Sequence, residues 1–230
     1  MIKIFSKSVS VFLATLIFCS ASYGEESTFE GRWIISLQDK KRVLEGLLEI
    51  ENIKINTYYL HNQIQDFILN YKSNSKIEIL NDGNEILDTG GGILNLINRS
   101  DENDFIVLNP DTVWGDNYLK TTINMMDYYF QKKVKNLLMI VNKENSFDER
   151  MRGDFSLSNE KLLKNKENNF IYTGLQIINK SLFKNEKVMS FSVTKIWDEA
   201  IKNKMLYGFE SKEQFIHLTD LEIYNKLVKK

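Results

Sequence analysis

From Lys41 onward, segments whose apolar residues recur every three or four positions alternate with short, densely apolar runs. Lys41–Glu51 carries Val43, Leu44, Leu47, Leu48 and Ile50, the spacing of one helical face. Ile53–Tyr58 alternates apolar and polar and predicts a strand, and Asn62–Tyr71 predicts the helix after it, with His61 as a surface residue of the turn between them. Lys76–Leu80 and Phe105–Leu108 are the next strands, with a short apolar helix and the polar turn SDEND between them. Tyr118–Gln131 places Leu119, Ile123, Met126 and Phe130 on one side of a helix. Leu137–Val141 is an unbroken apolar run, the pattern of a parallel strand covered on both faces. Phe170–Tyr172 and Leu175–Ile178 bracket Thr173-Gly174 as strand segments. Phe191–Asn203 predicts a helix with Phe191, Val193, Ile196, Trp197 and Ile201 as its core face, and Lys202 and Lys204 at its end suit the helix dipole. Phe209–Leu218 gives a last strand, and Thr219–Glu222 can cap a closing helix, Leu221–Val228. Phe29–Ser36 fits one further strand. This alternation predicts an α/β fold: a Rossmann-like three-layer sandwich with a mostly parallel central sheet and helices on both faces.

The chemistry concentrates between Glu85 and Asp116. Gly90, Gly91 and Gly92 follow Asp88 and Thr89, and read as a glycine loop opening a helix. Such a loop lets a ligand approach the backbone, and N–H groups at a helix start suit anionic groups. The strand Phe105–Leu108 delivers Asn109, Pro110 and Asp111 at its carboxyl end, where ligands gather in open α/β sheets. Asp111 is there placed for a hard cation such as Mg²⁺, which takes one or two carboxylates plus substrate phosphates. The plainer reading of the same residues is a glycine turn and a core strand capped by an acid. Thr173-Gly174 is either a strand bend or a second close backbone approach. The charged stretch NKENSFDERMRGDFSL reads as a solvated loop in which Arg150 and Arg152 could reach a phosphate. Asp111-Thr112-Val113 supplies no acidic pair of the kind a metal-dependent glycosyltransferase would want.

At 230 residues the chain suits one sizeable α/β domain, assigned to residues 25–230. A net charge of −1 gives no reason to expect nucleic acid or an anionic membrane surface as partner. The single cysteine, Cys19, excludes an intramolecular disulfide and a cysteine-based zinc site. After residue 20 no apolar run has the length that spans a bilayer. Residues 1–24 support two readings. Lys3 and Lys7, the apolar run Val9–Cys19 and the small residues up to Gly24 match a secretory signal peptide. Alternatively Val11–Ala14 is a divergent first strand. The first reading places the protein outside the cytoplasm and the second inside it.

The pattern EILDTGGGI…FIVLNPDTVW resembles the sugar-1-phosphate nucleotidyltransferase (sugar-nucleotide pyrophosphorylase) family, and within it the N-acetylmuramic-acid-1-phosphate uridylyltransferase-like branch. INTYYLHNQI, RGDFSL, FIYTGLQII, FSVTKIWDEAI and LYGFESKEQFIHLTDLE resemble further blocks in the same order, from about Val43 to the C-terminus. The resemblance implies the nucleotide-diphospho-sugar transferase fold and transfer of a nucleotidyl group, UMP from UTP, to a sugar 1-phosphate such as N-acetylmuramic acid 1-phosphate, releasing pyrophosphate. It implies nucleotide and sugar binding by Thr89, Gly90, Gly91, Gly92, Gly153, Asp154, Thr173 and Gly174, and Mg²⁺ held by Asp111, with His217 where the wider family carries a second aspartate. Family members open with a strand leading to a glycine-rich, arginine-containing loop and a Pro-Lys-Pro-Leu segment that hold the triphosphate. Between Ala14 and Lys41 this chain has neither, and no proline. The departure sets two expectations against each other: an enzyme of reduced activity, or an exported, non-catalytic descendant that binds a nucleotide sugar or nothing.

Overall fold

A computed structural model describes the backbone of residues 31–36 and, with side chains, residues 52–71, 73, 75–115 and 117–229. The expected export segment 1–24, Cys19 and the helix over Lys41–Glu51 lie outside the described residues.

The strands are β1 (Gly31–Ser36), β2 (Asn52–Thr57), β3 (Lys76–Asn81), β4 (Asp104–Leu108), β5 (Asn136–Asn142), β6 (Ser156–Ser158), β7 (Lys161–Leu163), β8 (Phe170–Asn179) and β9 (Tyr207–Ser211). They form one sheet in the order β3-β2-β1-β4-β8-β5-β9-β7-β6. The helices are α1 (His61–Leu69), α2 (Asp88–Ile97), α3 (Asn117–Lys132), α4 (Thr194–Lys202) and α5 (Leu221–Val228).

Strand side chains alternate between two cores. Ile106 and Leu108 of β4 and Leu137 and Met139 of β5 face α1 and α3, packing with Ile64, Tyr118 and Met125. Phe105, Val107, Leu138 and Ile140 face the other side, packing with Ile93 and Leu96 of α2 and Ile196 and Trp197 of α4. Covering on both faces is why these strands read as unbroken apolar runs rather than alternating ones. The three-layer α/β sandwich is therefore present.

The sheet, however, is mixed rather than mostly parallel. β2–β3 and β5–β9 are parallel pairings, but β1 runs antiparallel to both β2 and β4, and β8 runs antiparallel to both β4 and β5. β2, β3, β4, β5 and β9 thus point one way, with β1 and β8 reversed among them. For β8 the cause lies in the connection. Between β5 and β8 the chain contains a 3-10 turn and the β6–β7 hairpin, and no α-helix that could carry a parallel crossover.

Several elements differ in extent from the sequence reading. The two expected strand segments around Thr173-Gly174 are one strand, β8. Gly174 has φ +91° and the β5 register shifts between Leu138 and Ile140, so the glycine bends the strand without ending it. The glycines read as a loop form the first turns of α2 itself. His61 opens α1 instead of lying in the turn before it, because Leu60 takes the positive φ of that turn. The last strand stops at Ser211. Residues beyond it leave the ladder and bridge to loops, with Phe215 against Ser146 and His217 against Thr112. Asp220 caps α5, its Oδ1 accepting from the Ile223 N–H at 3.0 Å.

Candidate functional site

The carboxyl ends of β4, β5 and β9 and the amino end of β8 lie along one edge of the sheet. Asp111 follows β4 and His217 follows β9, and backbone pairing sets them side by side. The Val113 N–H donates to the Ile216 carbonyl at 2.9 Å and the Leu218 N–H to the Asp111 carbonyl at 2.8 Å. His217 Nε2 then lies 3.2 Å from Asp111 Oδ2, with both side chains partly exposed.

Behind this pair stands Asp148, from the loop after β5, whose side chain is 2 % exposed. Arg150 binds it in two-pronged fashion, Nε to Oδ1 and a terminal nitrogen to Oδ2, both at 2.8 Å, while its own N–H donates to Oδ1 at 3.0 Å. The same guanidinium reaches Asp220 Oδ2 at 2.8 Å. Arg150 is thereby committed within the fold, and the hydrogen bonds it donates hold the Asp148 carboxyl well below the usual carboxylate range. Thr219 Oγ1 links Asp148 Oδ2 and His217 Nδ1, each at 3.2 Å. Burial disfavours a charge on His217. The hydrogen bond to Asp111 and the negative charges of Asp111, Asp148 and Asp154 outweigh it and raise the imidazole pKa.

Asp154 lies across β8, its Oδ2 accepting from the Tyr172 N–H at 2.9 Å, and burial of its carboxyl raises its pKa. Gly153 is pressed against the neighbouring loop, where a Cβ would sit 2.3 Å from the Asn168 carbonyl oxygen. Thr173 is fully buried and donates its hydroxyl to the Met139 carbonyl at 3.0 Å, while its own carbonyl accepts from Thr112 Oγ1 at 2.7 Å. A Cβ on Gly174 would meet Asn109 Cβ at 2.8 Å. Asp111, His217, Asp154 and Thr173-Gly174 therefore share one end of the sheet. An open cleft of about 730 Å³ lies on the side of Arg150 and Gly153, lined among others by Lys143, Glu149, Arg152, Lys166 and Glu167.

Thr89 and Gly90–Gly92 sit apart from this group, at the carboxyl ends of β2 and β3 on the same edge. The Gly90 and Gly91 N–H groups both donate to the Phe191 carbonyl, at 2.8 and 3.2 Å, and Thr89 Oγ1 accepts from the Val193 N–H at 2.6 Å. A Cβ on Gly91 would lie 2.0 Å from the Met189 carbonyl oxygen, and one on Gly92 would lie 2.7 Å from Asn56 Nδ2. Small size here brings α2 against the 189–191 segment and β2. Asn56 and Asn95 donate to the two oxygens of Asp82 at 2.7 and 3.0 Å, forming a polar floor beside Gly92. Asp148, Asn56 and Asp82 carry no signal in the sequence, and Thr219 reads there only as part of the cap of the closing helix. Asp148 lies two residues before Arg150 in a charged loop, a pairing that carries no distinguishing pattern.

Asp111 and His217, the residues expected to hold a cation, lie side by side, and no group of three or more metal-binding side chains occurs among the described residues. An imidazole beside a carboxylate is a poorer donor set for Mg²⁺ than two carboxylates, because Mg²⁺ prefers oxygen.

No family model and no curated relative matches the sequence. Solved structures share the fold. HddC from Yersinia pseudotuberculosis superposes with TM-score 0.58 at 21 % identity over 78 % of each chain. The inositol-1-phosphate CTP transferase from T. maritima gives 0.59 at 11 % identity over 75 % of this chain and 72 % of its own. A UDP-glucose pyrophosphorylase complexed with UDP-glucose gives 0.55 at 14 % identity over 78 % and 81 %.

Proposed function

We propose, from the premise that the chain carries the fold of these nucleotidyltransferases, that it binds a nucleotide and a sugar phosphate along the carboxyl edge of its sheet. The reaction is transfer of a nucleotidyl group, UMP from UTP by resemblance, to a sugar 1-phosphate such as N-acetylmuramic acid 1-phosphate, with release of pyrophosphate. One observation carries the reading. Asp111 after β4, the Asp148–Asp154 segment after β5 and His217 after β9 converge at the edge where open α/β sheets take their ligands.

In such a transfer an oxygen of the sugar phosphate attacks the α-phosphorus in line, and the bond to the pyrophosphate oxygen breaks with its electron pair. Positioning and charge stabilisation carry most of the barrier reduction, and little proton transfer is needed. The backbone at Gly153 and Gly174 shapes the sugar side, with the Asp154 carboxylate as hydrogen-bond acceptor. Asp111 and His217 face the phosphates, and a divalent cation held there would spread the developing charge. The mixed donor pair is a poor match for Mg²⁺.

A second reading, a non-catalytic descendant that binds a nucleotide sugar, is favoured by β1. This strand lies between β2 and β4, with Gly31 opposite Thr57 and Ser36 opposite Phe105. Its last residue, Ser36, stands at the amino end of β4 and not at the carboxyl edge where Asp111 lies.

Incubating the full chain with UTP, N-acetylmuramic acid 1-phosphate and a divalent metal separates the readings. Pyrophosphate release that is lost in Asp111→Asn supports transfer. Binding of a UDP-sugar without turnover supports the second reading, and neither binding nor turnover leaves the fold alone in common with the enzymes.

A further inference from the structure

We propose that the cleft between the 149–153 segment and the 166–169 loop is a second binding site, built for a phosphorylated sugar and separate from the edge that carries Asp111 and His217. The inference does not rest on nucleotidyl transfer, and its test needs no turnover.

The lining holds charges of both signs that the fold leaves unspent. Lys143, Arg152 and Lys166 stand around the cleft together with Glu149 and Glu167. Among the described residues none of the three cations pairs with a carboxylate, and neither carboxylate pairs with a cation. Arg150 differs, because its guanidinium is taken up by Asp148 and Asp220, each at 2.8 Å. Lys164, two residues before Lys166, differs too and turns to Asp198 at 2.6 Å. Gly153 marks the border with the edge, whose Asp111, Asp154, Gly174 and His217 take no part in the lining.

The walls are tied by the protein itself. The Lys143 N–H donates to the Asn169 carbonyl at 2.9 Å, and Asn168 Nδ2 donates to the Asp154 carbonyl at 3.0 Å while its Oδ1 accepts from the Asn165 N–H at 2.9 Å. A ligand therefore orders side chains rather than backbone, which lowers the cost of binding. The volume of about 730 Å³ falls in the range of small-molecule sites, roughly 300–1,000 Å³. The charges select the class of ligand. Ammonium groups and a guanidinium suit phosphate, which Arg152 can grip in two-pronged fashion. Ionised Glu149 and Glu167 only accept, and hydroxyl groups are the donors they need. A bare polyphosphate would face both carboxylates, and a neutral sugar would leave the cations without an anion. A sugar phosphate answers both signs at once.

Glucose 6-phosphate, whose phosphate is not at the anomeric position, serves as the probe, beside glucose and inorganic phosphate. In ¹⁵N-labelled full-length protein it should move the Gly153 and Asn169 amide signals and the Arg152 Nε signal. Inorganic phosphate should bind about 3–10-fold more weakly, for want of the hydroxyl contacts, and glucose should move none of these signals. Arg152→Gln combined with Lys166→Gln, both at exposed positions, should weaken glucose 6-phosphate about tenfold or more, whereas Asp111→Asn should bind it as the native chain does. Inorganic phosphate binding as tightly as glucose 6-phosphate, affinity unchanged in the double variant, or signals moving only around Asp111 and Thr173 would each overturn the proposal. Absence of nucleotidyl transfer alongside the expected shifts would count against the functional reading alone.

Discussion

Asp148 shows how much of the site hangs on one side chain. It anchors Arg150 and, through Thr219, His217, and the guanidinium holds its carboxyl well below the usual range. A carboxyl whose folded-state pKa is depressed contributes stability that is present above its unfolded value of about 4 and is lost as pH falls toward the folded value. The urea midpoint of the native chain should therefore decline as pH is lowered through the ordinary carboxylate range, and Asp148→Asn should flatten that decline. An unchanged slope in the variant would contradict the role. Gly91 tests the packing of the glycine run. Alanine there puts a methyl group 2.0 Å from the Met189 carbonyl oxygen, so Gly91→Ala should cost about 1–3 kcal/mol in urea denaturation, by overpacking against backbone. At this scale the place of Asp111 was legible, because an acid just after a buried strand falls at that strand's carboxyl end. Asp148 was not, because an Asp two residues before an Arg in a polar loop looks like any solvated turn. The glycines were visible as glycines, but their use, two N–H groups spent on the Phe191 carbonyl, depends on a segment a hundred residues away in sequence.

Elements were recovered where periodicity is strong and both faces of the sheet are covered. β2, β4, β5 and α3 fall within one or two residues of their sequence-based bounds. What periodicity lacks is direction: Phe29–Ser36 reads as a strand whichever way it runs, and its reversal in the sheet is set by neighbours. The β6–β7 hairpin is too short to register as a pattern. Its turn residues Asn159 and Glu160 take φ of 49° and 64°, a geometry in which glycine is preferred at the second position. Glu160→Gly should stabilise the protein by about 0.5–1 kcal/mol through relief of that conformation. The exposed Lys132–Glu160 contact it gives up, at 3.5 Å, offsets less than about 0.5 kcal/mol. A loss of stability on denaturant titration would place the value of Glu160 in its contacts. On α4, Trp197 donates Nε1–H to Gln176 at 3.1 Å and meets Tyr172 and Phe155 edge-on, at centroid distances of 4.9 and 6.0 Å. The sequence reading of this tryptophan as core holds, and Trp197→Ala should cost about 3–5 kcal/mol.

For the whole molecule, the arrangement of strands decides what the edge can do. Six strands, β2, β3, β4, β5, β6 and β9, point their carboxyl ends to one side, and the candidate residues collect there in two groups separated by β1: the glycine run beside Asn56 and Asp82, and the Asp111–His217–Asp148 group. That is the edge on which the proposed nucleotide-sugar site lies, with β1 reversed between the two groups. The sequence disclosed the missing loop residues, and the structure adds the reversed strand. Among the described residues no helix is long and apolar enough to cross a membrane. The most direct test of the account is thermal denaturation of the full chain with and without a UDP-N-acetyl sugar and a divalent metal, beside Asp111→Asn. Only a ligand bound to the folded state raises its stability, by about 2.7 kcal/mol at a hundred times the dissociation constant. An upward shift of the native chain that disappears in Asp111→Asn is the predicted result. No shift in either protein would contradict a surviving nucleotide-sugar site at this edge.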